Sequence, residues 1–258
     1  MKKLMSFAQD AEDLILFSFL DEIKNGFYVD VGANDPWKGS ITKLFYDLGW
    51  NGINIEPLPD MYNALVEDRK RDINVNLGAG DKEGILDLFV SEGCSTFDND
   101  NVLNTKEVIS VKVKKLTDII SENIEIINTE IHFCKIDVEN FEKQVLSGLN
   151  LDKIRPWIFC IESTLPLTKI PTYKSWENIL LDNNYYLLCS KGVNRYYADK
   201  SKKDLFDKKI KNYITLKEKY DIFYALNKNT KPYKILKHID KTFYFFTDKY
   251  YRIKYKKF

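Results

Sequence analysis

The sequence predicts an α/β protein with a mostly parallel sheet, helices on both faces and an antiparallel hairpin at one end of the sheet. Short apolar runs alternate with amphipathic stretches from residue 27 to residue 198, a pattern typical of such a sheet. Several runs end in an acid or a glycine. The last two runs, residues 185–189 and 194–198, flank a turn at Gly192, which predicts the hairpin. A chain of 258 residues can form one large α/β domain with an appendage.

The first predicted elements lead to a glycine turn. Residues 6–23 predict a helix with Ser6 as N-cap and an apolar stripe on one side. Residues 27–31 predict a buried strand that ends in a tight turn at Gly32. An amphipathic helix follows, with Ser40 as its N-cap and Gly49 as its stop. Residues 53–56 predict the next strand.

The rest of the pattern continues this alternation. Helices are predicted at residues 58–68, 142–146 and 176–181, together with a short helix capped by Thr117. Strands are predicted at residues 73–77, 85–90, 108–113, 131–139 and 157–162. The polar segment 94–105 lies between two of these strands and is long enough to predict a lid.

The composition is that of a soluble globular protein, with 44% hydrophobic and 30% charged residues. No apolar run approaches the ~18 residues that a membrane span needs. The stretch behind Lys2 and Lys3 is interrupted by acids, so we expect no signal peptide. The four cysteines are scattered without a C-x-x-C motif. They predict reduced core thiols in a cytoplasmic protein.

The charge distribution divides the chain near residue 200. Residues 201–258 contain 17 Lys and Arg against 6 Asp and Glu, and they contain 14 of the 36 aromatic residues. Residues 1–200 contain 22 basic against 32 acidic residues. We therefore predict a domain over residues 1–200 and a basic, aromatic, helical extension over residues 201–258.

The turn at Gly32 predicts a cofactor site, because a strand that ends in glycine before a helix leaves backbone N–H groups around an open space. A dinucleotide site needs G-x-G-x-x-G, and here Gly32 is alone. Asp30 and Asp35 would repel a pyrophosphate and would suit a cofactor ammonium. Glu56 ends the next strand, where a carboxylate can accept both hydroxyls of a ribose. Adenosine with an amino-acid end describes S-adenosylmethionine; the alternative is a strand–turn–helix without a ligand.

Several stretches carry a resemblance to a known family. They are Phe7–Asp13, Phe27–Pro36, Ser40–Pro57, Ser95–Phe97, Lys135–Glu139, Arg155–Trp157, Ile161–Thr164 and Asn194–Tyr196. With these, the chain resembles the FkbM family of S-adenosylmethionine-dependent methyltransferases. The resemblance implies a class I methyltransferase (Rossmann-like) sheet of seven strands with the last antiparallel, and O-methylation, commonly of sugars or polyketide hydroxyls. One departure is Asn140, where the family usually has glycine.

The resemblance also implies roles for individual residues. Asp30, Gly32 and Asn34, with Asp35 beside them, would line the amino-acid end of the cofactor. Glu56 would hold the ribose, and the loop from Gly78 to Asp81 would lie on the adenine side. Asp137 and Glu139 would lie at the edge of the sheet near the sulfonium.

Three acids are candidates for the chemistry. Asp137, Glu139 and Glu162 follow or end neighbouring predicted strands. One of them could act as general base on an acceptor hydroxyl, or Asp137 and Glu162 could hold Mg²⁺ or Mn²⁺. The sequence favours the base, because no histidine or third carboxylate is clearly placed to complete a metal site. Of the two histidines, His132 is predicted in the core and His238 in solvent.

Asn194 and Arg195, on the predicted hairpin, are candidates for binding the acceptor. Arg195 could clamp a phosphate or carboxylate, or could pair with a neighbouring acid; the sequence favours the clamp. The acceptor is predicted to be a small molecule and not a nucleic acid, namely a nucleotide-activated or polysaccharide-precursor sugar whose phosphates meet lysines of the extension. A membrane-surface role of the extension is an alternative. The oligomeric state is not predicted.

The sequence leaves three functions to compare. The first is methyl transfer from S-adenosylmethionine to a sugar hydroxyl. The second is an NAD(P)-dependent oxidoreductase, which shares the acid after the second strand but needs the missing glycines. The third is a binding module that keeps the fold without catalysis.

Overall fold

The fold is organised around a central sheet of eight strands. The computed structural model describes residues 2–91, 94–101, 105–125, 129–210, 212, 216, 219–224, 233–234 and 244–245. The strands are β1 Lys2–Ser6, β2 Phe27–Val31, β3 Asn51–Ile55, β4 Ile73–Val75, β5 Gly78–Gly80, β6 Gly84–Val90, β7 Glu107–Lys115, β8 Phe133–Ile136, β9 Ile158–Glu162, β10 Tyr185–Lys191, β11 Asn194–Asp199, β12 Tyr220–Tyr224, β13 Tyr233–Lys234 and β14 Tyr244–Phe245.

The strand order of the central sheet is β14-β10-β11-β9-β8-β2-β3-β4. The pairs from β9 through β8, β2 and β3 to β4 are all parallel. β11 runs antiparallel to β9 and to β10. The predicted mostly parallel sheet with a terminal antiparallel hairpin is therefore confirmed, and β14 adds a short strand at the edge of the predicted seven.

Two smaller sheets flank the central one. β5, β7 and β6 form one of them, with β6 and β7 paired as an antiparallel hairpin. β1, β12 and β13 form the other, in which β1 pairs with β12 in parallel. β1 includes Ser6, which the sequence predicted as the N-cap of the first helix, and β12 lies within the extension that the sequence predicted to be helical. Both predictions are wrong at these positions.

The helices are α1 Glu12–Leu20, α2 Lys43–Asp47, α3 Pro59–Asp68, α4 Leu116–Asn123, α5 Glu142–Ser147, α6 Glu177–Leu181 and α7 Lys203–Lys209. α1 begins six residues later than predicted, because Ala11 adopts a left-handed conformation with φ of 63° and Ser6 belongs to β1. α2 begins at Lys43, so Ser40 is not its N-cap. Gly49 follows α2 with φ of 94°, which agrees with its predicted role as a stop.

Two hydrophobic clusters cover the two faces of the central sheet. The first contains α1, α2 and also Phe206, Ile210, Leu216 and Ile222. The described part of the extension therefore packs against the first helix. The predicted boundary at residue 200 lies within a shared cluster. Among the described residues, no helix is long and apolar enough to cross a membrane.

His132 is part of the packing at the amino end of β8. Its ring lies between Trp50 and Trp157, at centroid distances of 5.3 and 4.6 Å. Its Nδ1 accepts a hydrogen bond from the backbone N–H of Phe27. Burial is the main cause that lowers the pKa of His132. These contacts agree with the predicted core histidine, and His238 lies outside the described residues.

Candidate active site

A cavity of about 1310 Å³ opens at the carboxyl ends of β2, β3 and β8. Parallel strands present this edge to ligands in open α/β sheets. The wall includes backbone and side chains that follow the three strands: Gly32, Asn34, Asp35, Glu56, Asp137 and Glu139. The hairpin of β6 and β7 and the segment after β6 form the facing wall. Typical small-molecule pockets have volumes of roughly 300–1,000 Å³, so this cavity is larger than a typical pocket for one small molecule.

Gly32 lies where the chain leaves β2, and its φ is +73°. A Cβ atom at this position would lie 2.0 Å from the carbonyl oxygen of Asp137, a distance that no real contact allows. The sequence predicted that this glycine makes room for a ligand. The nearest atom to this Cβ position is the carbonyl oxygen of Asp137, the residue directly after β8. Gly32 therefore allows the turn after β2 to lie close to the end of β8, its neighbour in the sheet.

Glu56 is 4% exposed and joins two loops of the cavity. One carboxylate oxygen accepts the backbone N–H of Asn34 at 2.7 Å, and the other accepts that of Leu58 at 2.8 Å. Burial is the largest cause that raises the pKa of Glu56. A carboxylate has about four acceptor positions, so two remain for ribose hydroxyls. The predicted role of Glu56 is compatible with these contacts.

Asp30 is buried and already has partners in the protein. Its Oδ1 lies 3.2 Å from Lys135 Nζ, and its Oδ2 accepts a hydrogen bond from Thr42 at 2.8 Å. Lys135 also donates to the carbonyl oxygen of Gly32 and lies 3.7 Å from Asp137. Burial alone would lower the pKa of Lys135, but the carboxylates of Asp30 and Asp137 outweigh it and raise that pKa.

The sequence did not predict a role for Lys135 or Thr42. Lys135 is 6% exposed in the middle of β8, and a charged residue inside an otherwise apolar strand is the signal that could have found it. Its ammonium lies 3.2 Å from the carboxylate that was predicted to meet a cofactor ammonium. Asp30 also belongs to the wall of the cavity, and its role toward the cofactor stays a prediction.

Asn34 and Asp35 shape the loop between β2 and α2. Asn34 has φ of 52°, a left-handed conformation that asparagine tolerates. One oxygen of Asp35 accepts the backbone N–H groups of Trp37 and Lys38, which fixes a turn. Both residues line the cavity. α2 starts at Lys43, so its N-terminus lies a few residues farther from the glycine turn than the predicted N-cap Ser40.

Of the loop predicted to lie on the adenine side, Gly78 lines the cavity and Asp81 does not. Gly78 lines the cavity together with apolar side chains such as Leu88 and Phe97. A Cβ atom at Gly78 would lie 2.7 Å from the ring of Phe97, so the strand and this ring are in close contact. Asp81 is exposed, and it does not belong to the described wall of the cavity.

Three carboxylates converge at the carboxyl ends of β8 and β9. Ile136 pairs with Ile161, which brings Asp137 and Glu162 side by side. One oxygen each from Asp137, Glu139 and Glu162 lie within 4.8 Å of one another. Burial and the charge of Asp137 raise the pKa of both glutamates. The sequence predicted no clear third carboxylate beside Asp137 and Glu162, and that prediction is wrong because Glu139 lies with them.

The backbone after Asp137 explains how Glu139 reaches this position. Glu139 and Asn140 have φ of 53° and 75°, two successive left-handed residues. Glycine or asparagine favours this conformation. The departure from glycine at position 140 is therefore conservative in backbone terms. Thr96 donates a hydrogen bond to the carbonyl oxygen of Glu139 at 2.6 Å, so the described part of the predicted lid is attached to this turn.

The two predicted acceptor-binding residues have partners within the protein. Arg195 forms an ion pair with Glu177 at 2.7 Å and packs over the ring of Tyr173. This is the alternative that the sequence left open. Asn194 is 7% exposed and donates to Glu12 at 3.2 Å. Neither residue belongs to the described wall of the cavity, so their roles in acceptor binding stay predictions.

The chain was compared with known families and structures. The profile of the methyltransferase FkbM domain matches residues 30–187, which is more than half of the chain. Among curated proteins, no match was found.

Three solved structures that are similar to this chain share 10–15% of its sequence. Methyltransferase FkbM from Methylobacillus flagellatus KT is 15% identical with a TM-score of 0.40, and the match covers 68% of this chain and 44% of that one. Precorrin-6y C5,15-methyltransferase from Geobacter metallireducens GS-15 is 10% identical with a TM-score of 0.37, with coverages of 72% and 84%. Trm1 from Pyrococcus horikoshii, in complex with S-adenosyl-L-methionine, is 14% identical with a TM-score of 0.34, with coverages of 75% and 56%.

The strand order and the cavity at the carboxyl edge of the sheet define a protein of the class I methyltransferase fold. The match over residues 30–187 shows that the chain belongs to the FkbM methyltransferase family. The resemblance predicted from the sequence is thereby confirmed.

Proposed function

We propose that this protein transfers the methyl group of S-adenosylmethionine to a hydroxyl group of a sugar. The observation that carries the proposal is the placement of Glu56, Asp137 and Glu139 around one cavity, at the ends of adjacent parallel strands, with Glu162 beside the latter two. Family membership supports the methyl donor. The sugar is supported by the sequence resemblance and by the chemistry of the site.

The residues of the cavity fit S-adenosylmethionine. Glu56 keeps two acceptor positions for the ribose hydroxyls, and the apolar wall with Leu88 and Phe97 suits an adenine ring. Asp35 and the network of Asp30 and Lys135 lie near the loop that would hold the amino-acid end. When bound, the cofactor supplies an electrophilic methyl group on a sulfonium.

The protein's part in the reaction is to hold the acceptor and remove its proton. A sugar hydroxyl has a pKa far above neutral pH, so its proton must leave as the new O–C bond forms. Asp137 lines the cavity and lies 3.7 Å from Lys135, with Glu139 and Glu162 beside it. These carboxylates are the groups that can promote its loss, either as a general base that takes the proton or by holding a divalent cation that would lower the pKa of the hydroxyl.

The acceptor is proposed to be a nucleotide-activated or polysaccharide-precursor sugar. The cavity exceeds the space that one cofactor needs, and Lys38 and Lys106 belong to its wall. Lysine side chains bind phosphate oxygens as point charges. The basic composition of residues 201–258 supports the same acceptor class. A cytoplasmic location is part of this proposal, because nucleotide sugars are cytoplasmic metabolites.

Calorimetry with S-adenosylhomocysteine and with NAD tests the proposal directly. We expect saturable binding of S-adenosylhomocysteine and none of NAD; the opposite result would favour an oxidoreductase. Transfer of a labelled methyl group to a panel of nucleotide sugars then separates an enzyme from a binding module. Cofactor binding without transfer to any sugar would contradict the proposed acceptor.

A test of the role of residues 201–258 requires a truncation that leaves the first hydrophobic cluster intact. Removing residues 201–258 would remove Phe206 and Ile222 from the first hydrophobic cluster. A chain ending at residue 224 keeps both and lacks a segment with 10 Lys and Arg against 2 acids. If that segment binds acceptor phosphates, the KM for the acceptor rises and affinity for S-adenosylhomocysteine stays constant. An unchanged KM would exclude this role.

A further inference from the structure

The carboxylates of Asp137, Glu139 and Glu162 form a compact group of oxygen atoms. One oxygen from each lies within 4.8 Å of the others. In octahedral coordination with bonds of about 2.1 Å, opposite ligand oxygens are about 4.2 Å apart and neighbouring ones about 3 Å apart. Side-chain shifts on the order of an ångström would bring all three oxygens onto one ion.

Glu162 provides a second, independent observation. Its residue is only 9% exposed, and within the described part of the chain its Oε2 atom has no hydrogen-bond partner. Glu139 is half-buried, and its Oε2 atom is likewise buried without a hydrogen-bond partner among the described residues. A buried carboxylate oxygen without a partner costs free energy. Both oxygens belong to the side chains that converge, so the position between them lacks a partner of positive charge.

The protein's own cations do not fill this position. Lys135 lies 3.7 Å from Asp137 but closer to Asp30, at 3.2 Å. Among the ion pairs between described residues, none involves Glu139 or Glu162. Glu142, close enough to raise the pKa of both glutamates through its charge, adds negative charge. The local charge is thus strongly negative unless protons or a cation are bound.

We propose that Asp137, Glu139 and Glu162 together bind one divalent cation, Mg²⁺ or Mn²⁺. Carboxylate oxygens are the ligands that these hard ions prefer, and neither sulfur nor imidazole is needed. The side chain of Asp137 is 39% exposed, which leaves the cavity side of the site open. Three protein ligands with an open side are typical of a catalytic ion, since the remaining positions take water or substrate.

The catalytic use of this ion rests on the proposed methyl transfer, whereas its binding does not. Next to the ion, the acceptor hydroxyl loses its proton more readily, and water at the exposed side of Asp137 takes that proton. The electron pair of the broken O–H bond forms the O–C bond. The C–S bond breaks, and its electron pair stays on sulfur. One neutral thioether and one proton are thus released for each methyl group transferred.

Binding is measured by titrating the full chain, cleared of metal with EDTA and dialysed, with Mn²⁺. The electron paramagnetic resonance signal of free Mn²⁺ gives the bound fraction. We expect one Mn²⁺ per chain, displaced by excess Mg²⁺. Glu162→Gln and Glu139→Gln each keep the side-chain shape and should weaken binding tenfold or more. Asp152→Asn, which changes an exposed acid elsewhere, should bind as the wild type does.

Thermal unfolding gives a second readout that does not depend on activity. Without metal, Glu162→Gln should be at least as stable as the wild type, because it removes one of three converging charges. Mn²⁺ should raise the Tm of the wild type and not that of Glu162→Gln. If that variant fails to fold, Asp137→Asn, at a more exposed position, serves in its place.

The outcomes separate this inference from the proposed function. No saturable Mn²⁺ binding, or equal binding in the wild type and both glutamine variants, would overturn the site. Binding as expected with no methyl transfer to any sugar would leave the site standing and contradict only the proposed acceptor. Full methyl transfer in the presence of EDTA would overturn the catalytic use of the ion and favour a carboxylate base.

Discussion

Lys135 Nζ lies 3.2 Å from Asp30 Oδ1, and both side chains are almost completely buried between β2 and β8. The pair connects the first strand of the site with the strand that leads to Asp137. Removing one partner of a buried pair leaves an uncompensated charge, which is far more destabilising than removing both.

Lys135→Met should therefore destabilise the protein by about 3–5 kcal/mol. The double variant Asp30→Asn with Lys135→Met should recover much of that loss, because no charge is then left unpaired. Urea unfolding of the wild type, both single variants and the double variant measures the coupling. Additive effects would show that the two charges do not stabilise each other.

Glu56→Gln should weaken binding of S-adenosylhomocysteine by about 1–3 kcal/mol, the value of a hydrogen bond to a charged acceptor. The glutamine keeps one oxygen for the two backbone donors of Asn34 and Leu58, so some loss of stability is also expected. Calorimetry at a temperature at which the wild type and the variant are both folded separates the loss of affinity from the loss of stability. Glu67→Gln, an exposed position on α3, is the control. Unchanged affinity in Glu56→Gln would remove Glu56 from the cofactor site.

Gly32→Ala and Gly49→Ala form a matched pair of substitutions. Both glycines have positive φ, and alanine in that conformation costs about 1–2 kcal/mol. At Gly49 a Cβ atom meets nothing within 4 Å, but at Gly32 it meets the Asp137 carbonyl oxygen at 2.0 Å. We expect Gly32→Ala to cost about 2 kcal/mol more than Gly49→Ala in thermal or urea unfolding, since overpacking typically costs 1–3 kcal/mol. Equal costs would show that the carbonyl oxygen of Asp137 does not clash with a Cβ atom at position 32.

Glu12 predicts a pH dependence of stability. Burial is the largest cause that raises its pKa from 4.5 to about 7. The folded state therefore binds this proton more tightly than the unfolded state does, and the resulting stability is fully present below pH 4.5 and is lost as the pH rises through 7. The full difference corresponds to about 3 kcal/mol.

The measurement compares the free energy of unfolding between pH 4.5 and 7.5. Glu12→Gln does not titrate, so its stability should fall less over this range than that of the wild type. Because Asp13 and Glu142 also have raised pKa values of about 6 and 7, part of the slope should remain. Parallel curves for the wild type and Glu12→Gln would assign the slope to those other acids.

Substitutions of Arg195 and of its partner Glu177 distinguish acceptor binding from a structural role of this ion pair. If Arg195 clamps the acceptor, Arg195→Lys raises the KM for the acceptor and leaves cofactor affinity constant, because lysine cannot make the two-point contact. Glu177→Gln breaks the same ion pair without removing the guanidinium. Similar changes of stability and of both affinities in the two variants would show a structural role.

Much of the central sheet could be predicted from the sequence, because its parallel strands are buried apolar runs with distinct ends. The loop between Gly32 and α2 could not. Apolar periodicity at Ile41 and Leu44 predicts the helix, but it carries no information on the loop before it, which is held by side chains such as Asp35, an acceptor for two backbone N–H groups. Local hydrogen bonds of this kind compete with helix formation.

The candidate site was predictable to the extent that it follows strand ends. Glu56, Asp137 and Glu162 were found in this way. The approach of Glu139 depends on two successive left-handed residues, which no periodicity reveals. The pairing of Lys135 with Asp30, which are 105 positions apart in the sequence, depends on the lateral order of their strands, and only the assembled sheet shows it.

The parallel pairing of β1 with β12 has a consequence for synthesis on the ribosome. Residues 2–6 find their partner only when residues 220–224 have emerged. Until then the edge of β1 and part of the cluster around α1 are uncovered, although the strands around the cavity are already complete. Nascent chains stalled before residue 220 should therefore recruit chaperones at their first segment, and β1 should be among the last strands to become protected.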